Sequence, residues 1–595
     1  MLLLVTPPLT QLNTPYPATT QLKAYLQHQG FSVVQADMGI ELTDKIFRRD
    51  FIAANLPKGL PDADAYAGSI DSVMRFLRGG DSTLASRIVA GNLLPEGRRR
   101  RDDEELEWAF GVAGVEDRAR YLATLYLEEL AELLKKHVDP HFELVRYAEH
   151  LCTYAADFDE VEAALAKPPS PIEAMTISLL EGYMQKHRPD MVAFTVPFPG
   201  CLLSALRCGR YIKEQWPGVT VCMGGGFANT EWRQLSEPRV FDYVDYITLD
   251  DGELPLLRLL LHQKGKLDGD KLLRTYCCKD GNVAYINYMG DDMPVQVDND
   301  SMPAPDFEGL PMDLYISTAD MTNPMHSLWS CGRWNKMMMA HGCYWAKCAF
   351  CDTTLDYISR YDAPSATTVV DRMERIASQT GSTGFHFVDE ALPPRLLREV
   401  CDEIVRRELV FSFWGNIRFE KNYTPEFCHL LAQAGCIAVS GGLEVASDRL
   451  LKLMGKGVSV QQTMVAARNL SDAGIMVHTY LMYGFPTETL QETIGALENV
   501  RRMFEEGIVQ SAFWHRYAMT VHSLSGCEPE RYGARCVQRN GYNRFCNNEV
   551  AFEADFDYDL DAVGEALRVA TYNYMNGLGL DRPASKWFKG VRALR

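Results

Sequence analysis

Twice along this chain, apolar runs of strand length alternate with helical patterns, and that rhythm leaves few folds open. "LLLVTPP" (residues 2–8) reads as a strand ended by two prolines, "TTQLKAYLQHQG" (19–30) has helical spacing, and "FSVVQAD" (31–37) is a second strand. Residues 46 to about 187 lose the rhythm and carry helical patterns such as "EDRARYLATLYLEELAELLKKH", which predicts a helical insertion. The alternation resumes with "PDMVAFTVPFPG", "CLLSALRCGRYIKEQWP", "VTVCMGGG" and "DYVDYITLDDGE". Strands alternating with helices imply a parallel sheet with ligand loops at the strand carboxyl ends. Residues 286–334, rich in Pro, Asp, Asn and Met, read as a linker. A second series follows with six strand candidates: "KMMMAH", "GFHFVD", "FSFWGN", "CIAVSGG", "IMVHTYLMYG" and "SAFWHRY". Six such units predict a partial (β/α) barrel whose active site faces the strand carboxyl ends. The expected class is α/β: a Rossmann-like domain over 1–285, a linker over 286–334, the partial barrel over 335–518 and a small C-terminal region over 519–595.

Composition narrows the class further. The chain has 595 residues, 47% hydrophobic and 23% charged, as expected of a globular protein of several domains. No window approaches 18 uninterrupted apolar residues, and "MLLLVTPPLTQ" lacks the basic start of a signal peptide, so a cytoplasmic protein away from membranes is expected. Sixteen cysteines in a reducing compartment read as core residues rather than a disulfide framework. A net charge of -19 argues against general affinity for nucleic acid. The basic run at 98–101 is followed at once by "DDEE" and reads as a solvated helix surface.

One stretch stands apart. "HGCYWAKCAFCDTT" (341–354) packs Cys343, Cys348 and Cys351 into nine residues with C-x4-C-x2-C spacing, just after the first strand of the second series. Three unrelated thiols rarely fall so close. A structural zinc site with His341 as fourth ligand normally draws on two separate pairs, and no second C-x2-C pair occurs. An iron–sulfur cubane has four irons, so three cysteines leave one iron open for substrate or cofactor.

The stretch resembles the cluster loop of radical S-adenosylmethionine (SAM) enzymes, with Phe350 in the aromatic position before the last cysteine. Their usual spacing is C-x3-C-x2-C, so this chain departs by one residue between Cys343 and Cys348. "GGLEVASDRLLKLMGKGVS" and "YLMYGFPTET" are similar to barrel segments of the same family, and the resemblance covers about 335–518. It implies a [4Fe-4S] cluster on Cys343, Cys348 and Cys351, SAM chelating the fourth iron, and reductive cleavage of SAM to a radical that abstracts hydrogen. By position, Glu444 suits the ribose hydroxyls. Asp389 and Glu390 suit the SAM ammonium or a helix cap, Asn416 is a SAM contact by its place at the end of the third strand, Arg418 suits the SAM carboxylate or an ordinary salt bridge, and Gly484 and Pro486 the turn against adenine.

The first series lacks the G-x-G-x-x-G of a dinucleotide site. Its order of "V-x-PP", "PD-x-VAF", "GGG" and "D-x-G-E" resembles the cobalamin-binding domain of class B radical SAM enzymes, over residues 1 to about 45 and 188–262. That resemblance implies cobalamin contacts from Pro8, Thr10, Gln11, Tyr16, Thr195, Val196, Pro197, Gly224, Gly225, Gly226, Asp250, Gly252 and Glu253. Three consecutive glycines permit close backbone approach to a flat ligand. No D-x-H-x-x-G segment exists, so cobalamin without a protein histidine on cobalt is expected, with Thr195–Pro199 or "TQLNTPY" near the metal. A degenerate domain that has lost the cofactor is the alternative. Family resemblance implies a methyltransferase acting on an unactivated carbon of a small molecule or peptide, with a flavodoxin or ferredoxin as electron donor. Rearrangement, cyclisation or ring contraction without methyl transfer is the second reading, and a metal-stabilised binding protein without turnover the third. His515, Tyr517 and His522, at or beyond the sixth strand, are candidates for the substrate pocket.

Overall fold

The computed structural model describes residues 1–591 apart from 96, 98–102, 112, 145–157, 320 and 538–543. The basic run at 98–101 lies outside the described residues. The first sheet has seven strands: β1 (Leu2–Thr6), β2 (Val33–Asp37), β3 (Met191–Thr195), β4 (Thr220–Gly224), β5 (Tyr246–Thr248), β6 (Thr275–Lys279) and β7 (Asn282–Ile286), in the order β2-β1-β3-β4-β5-β6-β7. The first five are mutually parallel. β1 and β3 are apolar on both faces because helices cover both. Leu2, Leu4, Met191 and Ala193 pack one way, against Leu254–Leu260, while Leu3, Val5, Val192 and Phe194 pack the other, against Leu202–Ile212.

β6 and β7 form an antiparallel hairpin on the sheet edge, which the strand–helix rhythm does not announce. Its turn is Asp280–Gly281, with φ of 51° and 76°. Asp-Gly between two short runs was the available signal. Between β2 and β3 the chain makes a run of helices around a separate apolar core that includes Ile70, Leu127 and Leu130.

The second sheet has six parallel strands in sequential order: β8 (Asn335–Met337), β9 (Gly384–Phe387), β10 (Ser412–Ile417), β11 (Cys436–Glu444), β12 (Met476–Tyr483) and β13 (Ser511–Arg516). Alternation sorts their side chains. Met337, Phe385, Phe413, Val439, Val477 and Ala512 pack outward into the helix layer. The alternate residues, among them Lys336, His386, Trp414, Ser440, His478 and Ser511, face the lumen. Ser365, Thr424, Ser459 and Thr489 each cap the start of a surrounding helix, so local sequence fixes where those helices begin.

The barrel is open, with β8 and β13 as its edges. A helix at Pro324–Cys331 spans the gap: Asn323 donates to Gln510 O (2.8 Å), His326 Nε2 meets Ser511 Oγ (3.1 Å), and Trp334 Nε1 donates to Leu328 O (2.9 Å). The stretch read as a linker is not a free tether. Tyr315 donates to Asp37, and Lys23 pairs with Asp306 at 2.8 Å. Beyond β13, the helix Leu560–Met575 packs outside the barrel, where Trp514 Nε1 donates to Thr571 (2.9 Å). Residues 544–549 return to the first unit: Phe545 enters its core and Asn547 N donates to Glu231 O (3.1 Å).

Candidate active site

The cysteine loop leaves β8 and is pinned at each step. Asp389, at the end of β9, accepts the Met339 and Ala340 amides (2.8 and 2.7 Å) and fixes the loop's entry. Its buried carboxyl is pushed up to about 7. Gly342 has φ +69°, and a Cβ there would lie 2.0 Å from Arg360 O, so only glycine fits. Cys343 N donates to Ile358 O (2.9 Å), Trp345 Nε1 to Gly455 O (2.9 Å) and Ala349 N to Met454 O (2.8 Å).

Around the thiols sits a compact set of charges. Lys456 Nζ pairs with Glu444 Oε1 at 2.6 Å, both side chains 9% exposed. Arg418 lies over the Trp345 ring (4.5 Å), pairs with Glu420 (2.9 Å) and places Nη1 3.8 Å from Cys348 Sγ. The Cys348 thiol is held down to about 6 by the S–H of Cys351; burial opposes this, and Lys456 and Arg418 assist it. Burial also works against the Lys456 ammonium, but Glu444 and Cys348 outweigh it and raise its pKa. Phe350 lies beneath Lys456, 5.7 Å from ring centroid to Nζ.

The zinc alternative fails on geometry. Tetrahedral zinc with thiolates at ~2.3 Å needs sulfurs roughly 3.8 Å apart. The cysteines form no trio of ligand atoms within 4.8 Å of one another; among the described residues only Asp251, His341 and Asp356 do. His341 is no ligand to the cysteines' metal, because Nδ1 meets Arg360 O (2.8 Å) and Nε2 meets Asp251 Oδ1 (3.0 Å). A cluster wider than one ion, held by three thiols under two cations, fits the loop.

Several residues assigned to SAM do other work. Asp389 holds the loop backbone through both carboxylate oxygens and caps no helix. Asn416 donates to Asp389 O (3.2 Å), and Arg418 is spent on Glu420, Lys456 O and Cys348. Gly484 and Pro486 are buried, and their turn is closed by Glu488, which accepts the Gly484 and Phe485 amides (2.7 and 3.2 Å). Neither offers a surface to adenine. Glu444 keeps a second carboxylate oxygen beyond the Lys456 pair, and Glu390 is exposed into the large cavity described next. Lys456 escaped the sequence reading although it stands in the quoted "MGKGVS" segment, because a lysine in a loop carries no signal until its burial is known.

The carboxyl ends of both sheets face one cavity of about 850 Å³, near the upper end of small-molecule sites. Gln11, Tyr16, Thr195, Pro197, Gly224–Gly226, Asp250, Gly252 and Glu253 line it. Pro8, Thr10 and Val196 do not: all three are buried, and Val196 trades backbone hydrogen bonds with Gly224 O (2.7 Å) and Phe227 N (3.0 Å). Two of the three glycines are also required for a different reason than expected. A Cβ on Gly225 (φ +105°) would meet Val196 N at 2.8 Å, and one on Gly226 would meet Pro197 O at 2.7 Å. They let the chain's own loop approach, and the cavity wall is the result. Asp250 is paired with Arg233, leaving it no free charge for a ligand. Thr195 Oγ1 is buried without a partner at the wall, the kind of atom a bound group satisfies. His341 is the one histidine at this cavity among the described residues, and both its ring nitrogens are engaged.

The two units meet through charge. Asp251 accepts from His341 and Arg360, Arg360 also holds Asp356 (3.0 Å), and Arg274 lies 3.9 Å from both Asp250 and Asp356. Burial raises the Asp251 carboxyl, but His341 and the two guanidiniums hold it below the ordinary range. Glu253 beside it is pushed up to about 7 by burial and by Asp251. Of the pocket candidates, His515 is exposed to the lumen next to Phe513 (4.8 Å), and His522 Nε2 is buried without a partner. Tyr517 is core: it donates to Ser525 (2.8 Å) and packs between Phe485 and Phe552.

Comparison with known proteins agrees with this architecture. Residues 337–500 match the radical SAM superfamily model. The uncharacterized methyltransferase PH0819 of Pyrococcus horikoshii is 23% identical over 56% of this chain and 68% of its own length. The anaerobic magnesium-protoporphyrin IX monomethyl ester cyclase of Rubrivivax gelatinosus is 24% identical over 58% of this chain and 60% of its own. The solved structure of the cobalamin-dependent S-adenosylmethionine radical enzyme OxsB with aqua-cobalamin bound superposes with a TM-score of 0.51 at 15% identity, covering 67% of this chain and 60% of that one, a likeness of fold. Residues 337–500 are thus the radical SAM region of the chain. The chain therefore carries a region similar to the radical SAM superfamily, and its two-sheet fold is similar to that of the OxsB structure.

Proposed function

We propose that this chain is a cobalamin-dependent radical SAM enzyme that methylates an unactivated carbon of a small molecule or peptide, with a flavodoxin or ferredoxin as reductant in a reducing, cytoplasmic setting. The observation that carries the reading is the convergence of two sheets on one cavity: a three-cysteine loop that reaches it through His341 at the end of one, and a glycine-walled, histidine-free strand-end surface at the end of the other. When bound, a [4Fe-4S] cluster, SAM and cobalamin supply the one-electron and methyl-transfer chemistry; the chain supplies position, charge and exclusion of water. Cys343, Cys348 and Cys351 would hold the cluster, with Lys456 and Arg418 beside Cys348 to offset thiolate charge. The second oxygen of Glu444 is placed to accept from ribose hydroxyls. Thr195 and the backbone at Gly224–Gly226 would border a corrin, and among the described residues no histidine of the first unit lines the cavity.

Anaerobic reconstitution followed by mass spectrometry of SAM products tests the reading. S-adenosylhomocysteine together with 5′-deoxyadenosine is expected. 5′-Deoxyadenosine alone turns the assignment to cyclisation or rearrangement, which the likeness to the Rubrivivax cyclase favours as second reading. Electron paramagnetic resonance of bound cob(II)alamin should lack nitrogen superhyperfine splitting; clear splitting from one axial nitrogen contradicts the absence of a histidine ligand.

A further inference from the structure

The barrel lumen carries a pattern that neither cofactor explains. Phe513 on β13 is 47% exposed, Met338 just past β8 is 46% and Tyr480 on β12 is 37%, unusual values for residues on barrel strands. Phe513 lies between Ala512 and Trp514, and Tyr480 near Leu481, all of which pack outward, so both aromatic rings face the lumen. His515 continues this wall, 4.8 Å from Phe513 and 6.4 Å from Tyr480. Apolar surface left open in such a place fits a ligand.

Lys336, on the other edge strand, borders the cavity together with Met338. Its ammonium makes no ion pair or hydrogen bond among the described residues, and burial alone pushes it down to about 7. Its cross-strand neighbour is His386, stacked on Trp414 at 3.5 Å and itself pushed down by burial and by Lys336, so no negative charge comes from that side. Lys336 is half-buried at the cavity wall, and an unpaired cation in that position suits an arriving anion.

We propose, resting on the enzyme reading above, that the barrel mouth takes a substrate with a flat apolar or aromatic body and one anionic group, a carboxylate or a phosphate: the body lies on Tyr480, Phe513 and His515, and the anion meets Lys336. The reconstituted full-length protein with SAM tests this using 8-anilinonaphthalene-1-sulfonate, an aromatic anion, and neutral N-phenyl-1-naphthylamine. The anion should bind saturably, and K336M should weaken it about tenfold or more, as loss of a charged partner implies, while the neutral probe changes less than twofold. K336Q repeats the test should K336M lose iron or fold. F513A should weaken both probes. Benzoate or phenyl phosphate should displace the anionic probe; displacement by neither, no saturable binding, or equal binding to wild type and K336M overturns the proposal. Dithionite-driven SAM cleavage, measured alongside, needs the cysteines and not Lys336. Cleavage without anion discrimination therefore sinks only the substrate assignment, whereas discrimination without cleavage sinks the enzyme reading and leaves the anion site standing.

Discussion

Both sheets end in loops that border one cavity, yet they build their sides of it in opposite ways. The first sheet uses backbone: prolines, Gly225 and Gly226 threaded against Val196 and Pro197, and an acid, Asp250, already paired with arginine. Beside its cysteine loop, behind the residues that line the cavity, the barrel uses charge: Glu444, Lys456 and Arg418 are buried next to Cys348, with Cys343 and Cys351 half-buried. The contrast suggests a division of labour. A wall made of backbone holds a large ligand by shape and tolerates neighbouring charge changes. A buried charge set holds a small, highly charged one, and fails as a unit when one member is removed.

The largest expected effect breaks the barrel side alone. Replacing Cys343, Cys348 and Cys351 together with Ala should reduce iron from about four per reconstituted chain to none, as a three-thiolate cubane requires. Cobalamin retention, read from the visible spectrum, should stay within about twofold; its collapse would mean that the two sides are not separable. Lys456→Met comes next. It strands Glu444 as an unpaired buried carboxylate, a defect that costs about 3–5 kcal/mol. Calorimetry should report a lowered barrel transition and SAM titration a weaker site, and an unchanged melting profile would remove Lys456 from the charge set.

Gly225→Ala attacks the other side. A Cβ 2.8 Å from the Val196 backbone at φ +105° should cost roughly 1–3 kcal/mol and lower cobalamin retention. Iron content and SAM affinity should be preserved, and loss of iron instead would contradict the division. The smallest effect is expected at the seam. Asp251→Asn keeps a hydrogen-bond acceptor for His341 and removes the charge that Arg360 meets. Asp251 is 32% exposed, so screening limits the loss to about 1 kcal/mol or less. The reduced-cluster resonance should nonetheless shift, because His341 stands two residues before Cys343; an unaltered spectrum would mean the seam does not reach the cluster.

Periodicity and turn residues were enough to read the two strand–helix series, the six barrel strands in order and the helical stretch between β2 and β3, because burial on both faces writes continuous apolar runs and helix caps write Ser or Thr at fixed places. The three cysteines were legible because spacing within one short loop is local information. What only the tertiary structure decided depends on residues far apart in the chain. The β6–β7 hairpin is decided by an edge left open beside β5. Asp389 became a clasp for the cysteine loop because β8 ends beside β9. Lys456 became a partner of Glu444, and Tyr517 became core, through packing that no window of sequence contains. The purpose of the glycine triplet changed for the same reason: positive φ and close approach are properties of the backbone, but what the backbone approaches is set by the neighbouring strand.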